Sequence, residues 1–276
     1  MPHRAINISI EEFEKFLLVH RSLEATTARY YTTLLKRFLS DTGKPASRIT
    51  NQDIGNFLLR IKKGRGSYRN YLAVIKIFFR DYLKQPEAVQ DFKFPRQQVK
   101  PKILPSKAEL KVFYDALPQT KYKAIFLLLA SSGLRVGELL NSKIDTSNRM
   151  IIPGALRPHT GSTKKSWISF YNDEAASLID SILSESATES LMLKRWRVDT
   201  LNHVFKKVYV KTGIRVYPQL LRSVFAREMS LAGVPDRYID AFCGRVPSSV
   251  LVRHYTDYSP EVLREVYERA SIRILE

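Results

Sequence analysis

Three observations predict a mainly α-helical protein, an N-terminal helical domain followed by a mostly helical C-terminal domain with a small antiparallel β-sheet. Apolar residues recur three and four apart along most of the 276-residue chain. A basic segment with three prolines breaks that pattern after residue 91. In the second half, two short β-like runs flank a turn-rich stretch. This length suits about two domains of ordinary size.

In chain order, Glu11 to Val19, Thr26 to Phe38, Gln52 to Ile61 and Ser67 to Leu83 carry helical periodicity. Thr42-Gly43-Lys44-Pro45 and Lys63-Gly64-Arg65-Gly66 separate them as turns. In the fourth segment Leu72, Ile75, Phe79 and Leu83 form an apolar stripe, and Arg69, Lys76 and Arg80 fall on another face. That cationic face suits a polyanion, and it equally suits a solvated surface. Residues 1–91 are taken as the first domain.

Residues 92–105 contain Pro95, Pro101 and Pro105 with Arg96, Lys100 and Lys102, an extended basic linker. Ser106-Lys107-Ala108-Glu109 then matches a capping box, so a helix opens the second domain, residues 106–276. Tyr122 to Ser132 reads as a buried helix. Arg149 to Pro153 and Ser166 to Tyr171 read as strands of one antiparallel sheet, the second preceded by Thr160-Gly161-Ser162-Thr163. Asp173 to Ser184, Val198 to Thr212, Gln219 to Ala232 and Pro260 to Ile274 complete the helices, with Gly213 and Gly233 as stops.

The chain has 45 Lys and Arg against 27 Asp and Glu, a formal net charge of +18. With 44% hydrophobic residues it is no disordered tail, so the charge sits on folded domains and points to a polyanionic partner. Basic residues interleave with Tyr and Phe throughout, which fits a duplex better than a membrane anchor. The single Cys243 excludes an internal disulfide framework and a cysteine-based zinc site. The five histidines show no ligand spacing, and the most apolar run, Ala124 to Ala130, is too short to span a bilayer. A cytoplasmic protein without a dedicated metal site is the expectation, with a nucleic-acid duplex the best fit to its charge and a merely solvated basic surface the alternative.

Ala130-Ser131-Ser132-Gly133-Leu134-Arg135-Val136-Gly137-Glu138 places an arginine after a glycine at the junction of two helical runs. Such a guanidinium can grip two phosphate oxygens, with Glu138 to orient it, and it can equally be a structural ion pair. The segment resembles the first arginine motif of the tyrosine recombinase (phage integrase) family, and three further boxes follow in order. Gln219-Leu220-Leu221-Arg222 resembles the His-x-x-Arg box with glutamine in the histidine place; Phe242-Cys243-Gly244-Arg245 resembles the Leu-Gly-His/Trp element with Arg245 last; Val252-Arg253-His254-Tyr255-Thr256-Asp257 resembles the nucleophile segment. The departures at Gln219 and Arg245 resemble integrases of archaeal viruses and plasmids.

The resemblance implies a site-specific recombinase whose Tyr255 attacks a phosphodiester, giving a 3′-phosphotyrosyl link and a free 5′-hydroxyl. Arg135, Arg222 and Arg245 would bind the scissile phosphate, and Gln219 would hydrogen-bond it without acid–base capacity. The family's general acid is a lysine on a β-hairpin, and here Lys164 is preferred over Lys165 because it lies nearer the turn. Lys165 joins Arg69, Lys76, Arg80, Lys100 and Lys102 among the expected DNA contacts. Tyr258 is the rival nucleophile, three residues on and on the same helix face, while Tyr217 reads as packing. Neither ATP nor another cofactor is required, and a synaptic tetramer on two DNA sites is implied. In similar proteins the last helix docks on a neighbouring protomer, and it can equally close its own domain. The alternatives are a type IB topoisomerase-like activity and an inactive DNA-binding protein.

Overall fold

The computed structural model describes residues 9–63, 67–96, 101–153, 168–185, 196–245 and 255–276. The chain divides into two compact units, 1–100 and 101–276.

The first unit is helical. Helix α1 (Ile10–Val19) starts at Ser9, whose hydroxyl accepts the Glu12 amide at 3.4 Å. Helix α2 (Ala25–Thr42) runs four residues past its expected end and stops where Gly43 turns left-handed at φ 62°. Helix α3 (Asn51–Lys63) begins with a reciprocal cap, in which the Thr50 hydroxyl accepts the Asp53 amide and the Asp53 carboxylate accepts the Thr50 amide. Phe13, Phe38, Phe57, Phe78 and Phe79 fill the core between these helices, with rings mostly edge to face.

The fourth segment is not one α-helix. Helix α4 covers Tyr68–Lys76, and Ile77–Tyr82 winds as a π-helix, with the Leu83 amide bonded to the Phe78 carbonyl five residues back. The wider turn lets the adjacent Phe78 and Phe79 both be fully buried and lets Phe78 stack on Tyr82 at 5.9 Å. Periodicity alone could not show this, because each apolar position also fits the α-helical pattern.

The second unit opens at Ser106, where both halves of the capping box form ahead of α5 (Lys107–Asp115). Helix α6 (Thr120–Ser132) is buried from Ala124 onward. It packs on α8 (Asp173–Glu185) and α10 (Pro218–Leu231), while α9 (Val198–Thr212) packs on α5. Short helix α7 (Val136–Leu140) is the second of the two helical runs that meet at Arg135, and α11 (Asp236–Phe242) adds an element that the periodicity left unassigned. The described sheet has three antiparallel strands in the order β1 (Ser142–Asp145), β2 (Met150–Pro153), β3 (Ser169–Phe170), with Ser142 opposite Pro153 and Ile151 opposite Ser169. Strand β1 was unforeseen because its four residues, three half-buried and one exposed, carry too little apolar alternation to register.

The last helix, α12, ends at Ala270 rather than Ile274. Ser271 turns left-handed and the tail runs extended, so that Ile272 and Ile274, two apart, are both buried. The Glu174 carboxylate accepts the amides of Ile274 at 2.7 Å and Leu275 at 2.9 Å, and Asn172 donates to the Ile272 carbonyl. Leu263 and Tyr267 are buried in the same core as α6. In this chain the terminal segment closes its own domain.

Candidate active site

The site is built around the end of α6. Gly133 adopts φ 70°, and a Cβ there would meet Phe225 Cδ1 at 2.4 Å, so both conformation and space require glycine. The turn buries Leu134 and leaves Arg135 capping α7. One Glu138 oxygen accepts the Arg135 amide at 2.8 Å, and the other accepts its guanidinium at 2.6 Å. A single carboxylate thus fixes both backbone and side chain of Arg135.

Arg222, on α10, is the tie of the site. Its side chain is 3% exposed, and it donates to the Gly133 carbonyl at 2.9 Å and to the Cys243 carbonyl, with Glu138 at 3.9 Å. Burial lowers its pKa, but a guanidinium stays charged at any accessible pH. Two further carbonyls at the end of α6 are also taken: the Ser169 hydroxyl donates to Ser132 at 2.6 Å and the Tyr267 hydroxyl to Ser131 at 2.9 Å. Burial raises the Tyr267 pKa far above its ordinary value, so it remains a neutral donor. Among the described residues, no buried side-chain nitrogen or oxygen lacks a partner.

Arg245 follows α11 and its left-handed Gly244, and its guanidinium is 54% exposed beside Asp240 at 2.9 Å. The pair borders a groove of about 480 Å³ between α10 and α11 that also takes in Ser223, Arg227 and Asp236. Arg135 and Arg245 both act electrostatically on Arg222. The three arginines therefore gather in one region, against the two carboxylates of Glu138 and Asp240. Burial raises the pKa of the neighbouring Cys243 thiol. What this arrangement can do is bind an oxyanion, through guanidinium edges that the framework leaves unbonded.

Gln219 is exposed on the first turn of α10, one turn before Arg222, behind Pro218 at the helix start. The ammonium group of Lys102 donates to the Ser223 hydroxyl at 2.6 Å, which brings the segment before α5 against α10. Tyr255 is helical and 80% exposed, and the helix stops there. Tyr258 is different: it lies in the non-helical connection to α12, partly buried and edge to face with Tyr238 at 6.2 Å. The two tyrosines thus share no helix face. The turn between them is tied by Asp257, whose carboxylate accepts the Ser259 amide. Tyr217 is exposed under the Arg215 guanidinium, not packed into the core. Lys100, Lys164, Lys165 and His254 lie outside the described residues.

In the first unit, Arg69 and Lys76 both stand over the Phe94 ring, at 5.4 and 6.0 Å. Arg80 is engaged elsewhere, in a two-point pair with Asp81 that Arg21 also approaches at 3.6 Å. Ser169, Tyr267, Ser223 and Asp240 were given no role at the site in the sequence reading. Only Asp240 left a local signal, an acid five residues before an arginine across a glycine stop. Among the described residues no group of three His, Cys, Asp or Glu side chains could hold a metal, and no helix is long and apolar enough to cross a membrane.

A two-domain helical fold of this kind, with its small antiparallel sheet, is that of the solved DNA integrases. A lambda integrase tetramer bound to a Holliday junction matches with a TM-score of 0.65 at 18% identity, over 90% of this chain and 76% of that one. The phage integrase family model matches residues 106–261, and the phage integrase N-terminal SAM-like domain matches residues 10–88. The chain belongs to the phage integrase family. Similar curated proteins include tyrosine recombinase XerA of Thermococcus onnurineus, 28% identical over 97% of both chains, and XerA of Pyrococcus horikoshii, 29% identical over 95% of this chain and 93% of that one.

Proposed function

We propose that the chain is a site-specific DNA recombinase that cuts and rejoins strands through a 3′-phosphotyrosyl intermediate. The observation that carries the reading is the gathering of Arg135, Arg222 and Arg245 in one region, against the carboxylates of Glu138 and Asp240, in a family member with an exposed tyrosine at position 255. Its relatives named tyrosine recombinase XerA point the same way.

In this reading Tyr255 Oη attacks the scissile phosphorus, forming a P–Oη bond as the 5′-oxygen leaves. Free tyrosine has a pKa near 10, so the hydroxyl needs a cationic field to lose its proton near neutral pH. The arginines supply that field and hold the non-bridging oxygens as charge gathers on the phosphorane. Gln219 donates a further hydrogen bond to the phosphate. Lys164, or Lys165 beside it, gives a proton to the departing 5′-oxygen. The 5′-hydroxyl of a partner duplex then attacks the phosphotyrosine and releases Tyr255. Bond energy is conserved throughout, so the exchange consumes no ATP and requires no metal from the protein.

The partner is duplex DNA, and each of the two domains, residues 1–91 and 106–276, as well as the linker 92–105, offers it basic side chains. Arg69, Lys76, Arg80, Lys100, Lys102 and Lys165 meet its backbone, which makes binding strongly salt-dependent. Strand exchange needs two duplexes and four active sites, hence a synaptic tetramer of the kind solved for the lambda enzyme. Such a protein works in the cytoplasm, where cellular DNA is accessible.

The test is a denaturing gel after incubation with labelled duplex carrying nicked suicide sites, in EDTA. Wild type and Tyr258→Phe should give a covalent protein–DNA band and Tyr255→Phe none. Salt-sensitive binding without any covalent band would overturn the reading.

A further inference from the structure

The cap that ends α11 is a Schellman motif in which an ion pair stands where an apolar contact is usual. The Arg245 amide donates to the Asp240 carbonyl at 2.8 Å and the Gly244 amide to the Ala241 carbonyl at 2.8 Å, with Gly244 left-handed at φ 54°. In such a cap the residue after the glycine lies over the residue that closes the outer bond, and the two side chains normally meet as hydrophobes. Here those residues are Arg245 and Asp240, and they meet as guanidinium and carboxylate at 2.9 Å. Asp240 thereby holds Arg245 at both ends, by its backbone carbonyl and by its side chain.

The same cap presents the Cys243 carbonyl to buried Arg222. The position of Arg245 relative to Arg222 is thus set within three consecutive residues, and the aim of its side chain is set by Asp240. An unrestrained arginine at this exposure would sample many rotamers and sacrifice entropy on meeting a phosphate. One contact from a single carboxylate oxygen restricts that sampling and leaves most of the guanidinium's five donors for an anion. Arginine also cannot exchange protons at accessible pH, so at this position aim and charge are all it contributes.

We infer that Asp240 is a positioning residue for the strand-transfer reaction, which aims the Arg245 guanidinium at the scissile phosphate from the cap of α11. This rests on the recombinase reading. It assigns a role to a side chain outside the four sequence boxes, and it accounts for how arginine serves at this position.

The experiment compares wild type, Asp240→Asn, Asp240→Leu, Arg245→Ala and the Asp240→Asn/Arg245→Ala double variant in single-turnover cleavage of the nicked suicide duplex, with DNA affinity and melting temperature measured alongside. Asp240→Leu gives the aliphatic stem of Arg245 an apolar neighbour in place of the carboxylate and so keeps the helix end stable. Both Asp240 variants should melt and bind DNA like wild type and cleave about tenfold more slowly, a loss typical of coupled neighbours. The double variant should be no slower than Arg245→Ala. A neutral methylphosphonate at the scissile position should remove the difference between wild type and Asp240→Asn, which a merely structural defect would not do. Wild-type rates in both Asp240 variants, faster cleavage in them, or additive losses in the double variant would each overturn the inference. If wild type forms no Tyr255-dependent covalent complex, it is the recombinase reading that fails.

Discussion

The corner between α6 and α7 and the cap that ends α11 contribute to the same arginine cluster, yet they are built in opposite ways. At the corner a buried arginine is bonded to two carbonyls, a carboxylate fixes its neighbour, and a glycine is pressed against a phenylalanine ring. At the cap, Arg245 is open to solvent and holds one carboxylate. Gln219 and Arg245, which stand where the resemblance expects a histidine and a histidine or tryptophan, are both exposed, whereas Arg222 is in the buried framework. An exposed position answers only to the chemistry and can be exchanged without unmaking the fold. A buried one answers to both.

The sharpest way to break the corner is Gly133→Ala. The left-handed backbone and the collision with Phe225 together should cost about 4 kcal/mol, read as a lower urea midpoint for the second unit. Glu138→Ala comes next, because it leaves buried Arg222 without its carboxylate and frees Arg135 from its anchor; a loss of about 3 kcal/mol is expected, with covalent complex formation falling in step. Arg245→Ala should divide the two regions cleanly. An exposed ion pair contributes less than about 1 kcal/mol, so the melting temperature should barely move while single-turnover cleavage drops at least about tenfold. A melting loss as large as that of Glu138→Ala would show that the cap, too, is framework.

The smallest effect lies in the other unit and provides a control. Hydrogen bonds from Lys44 and Thr50 lower the Asp53 pKa from 3.8 to about 2. A carboxyl depressed on folding stabilises above its ordinary value and loses that contribution as pH falls through the folded one. Acid titration between about pH 4 and pH 2 should therefore weaken the first unit, and Asp53→Asn should flatten the response without affecting cleavage at neutral pH.

Much of the architecture was legible because it is written locally. The Ser106 cap, the run Val198–Thr212 with its Gly213 stop and the buried stretch after Tyr122 each depend on residues within a turn or two. The mainly helical class with a small antiparallel sheet followed from such signals. What escaped depends on partners distant in sequence. The π-helical turn after Lys76 answers to Phe13, which packs on both Phe78 and Tyr82 of that turn, and the extended tail answers to Glu174, a hundred residues earlier. At the candidate site the arginines were visible as short motifs, and their gathering in one region is a property of the fold. Ser169 and Tyr267 could not be singled out, since a serine and a tyrosine that cap carbonyls across the core look like any others. Tyr258 was misplaced on a helix face because spacing of three does not reveal that the helix has already ended.

The bonds of Arg222 also impose an order in time. One of its carbonyl partners precedes it by 89 residues and the other follows it by 21, and the hydroxyl that completes the end of α6 comes later still, at Tyr267. A growing polypeptide can finish the first unit while the second is being made. The arginine cluster, by contrast, waits for partners on both sides of Arg222, so its framework is complete only once the chain has been made through Tyr267.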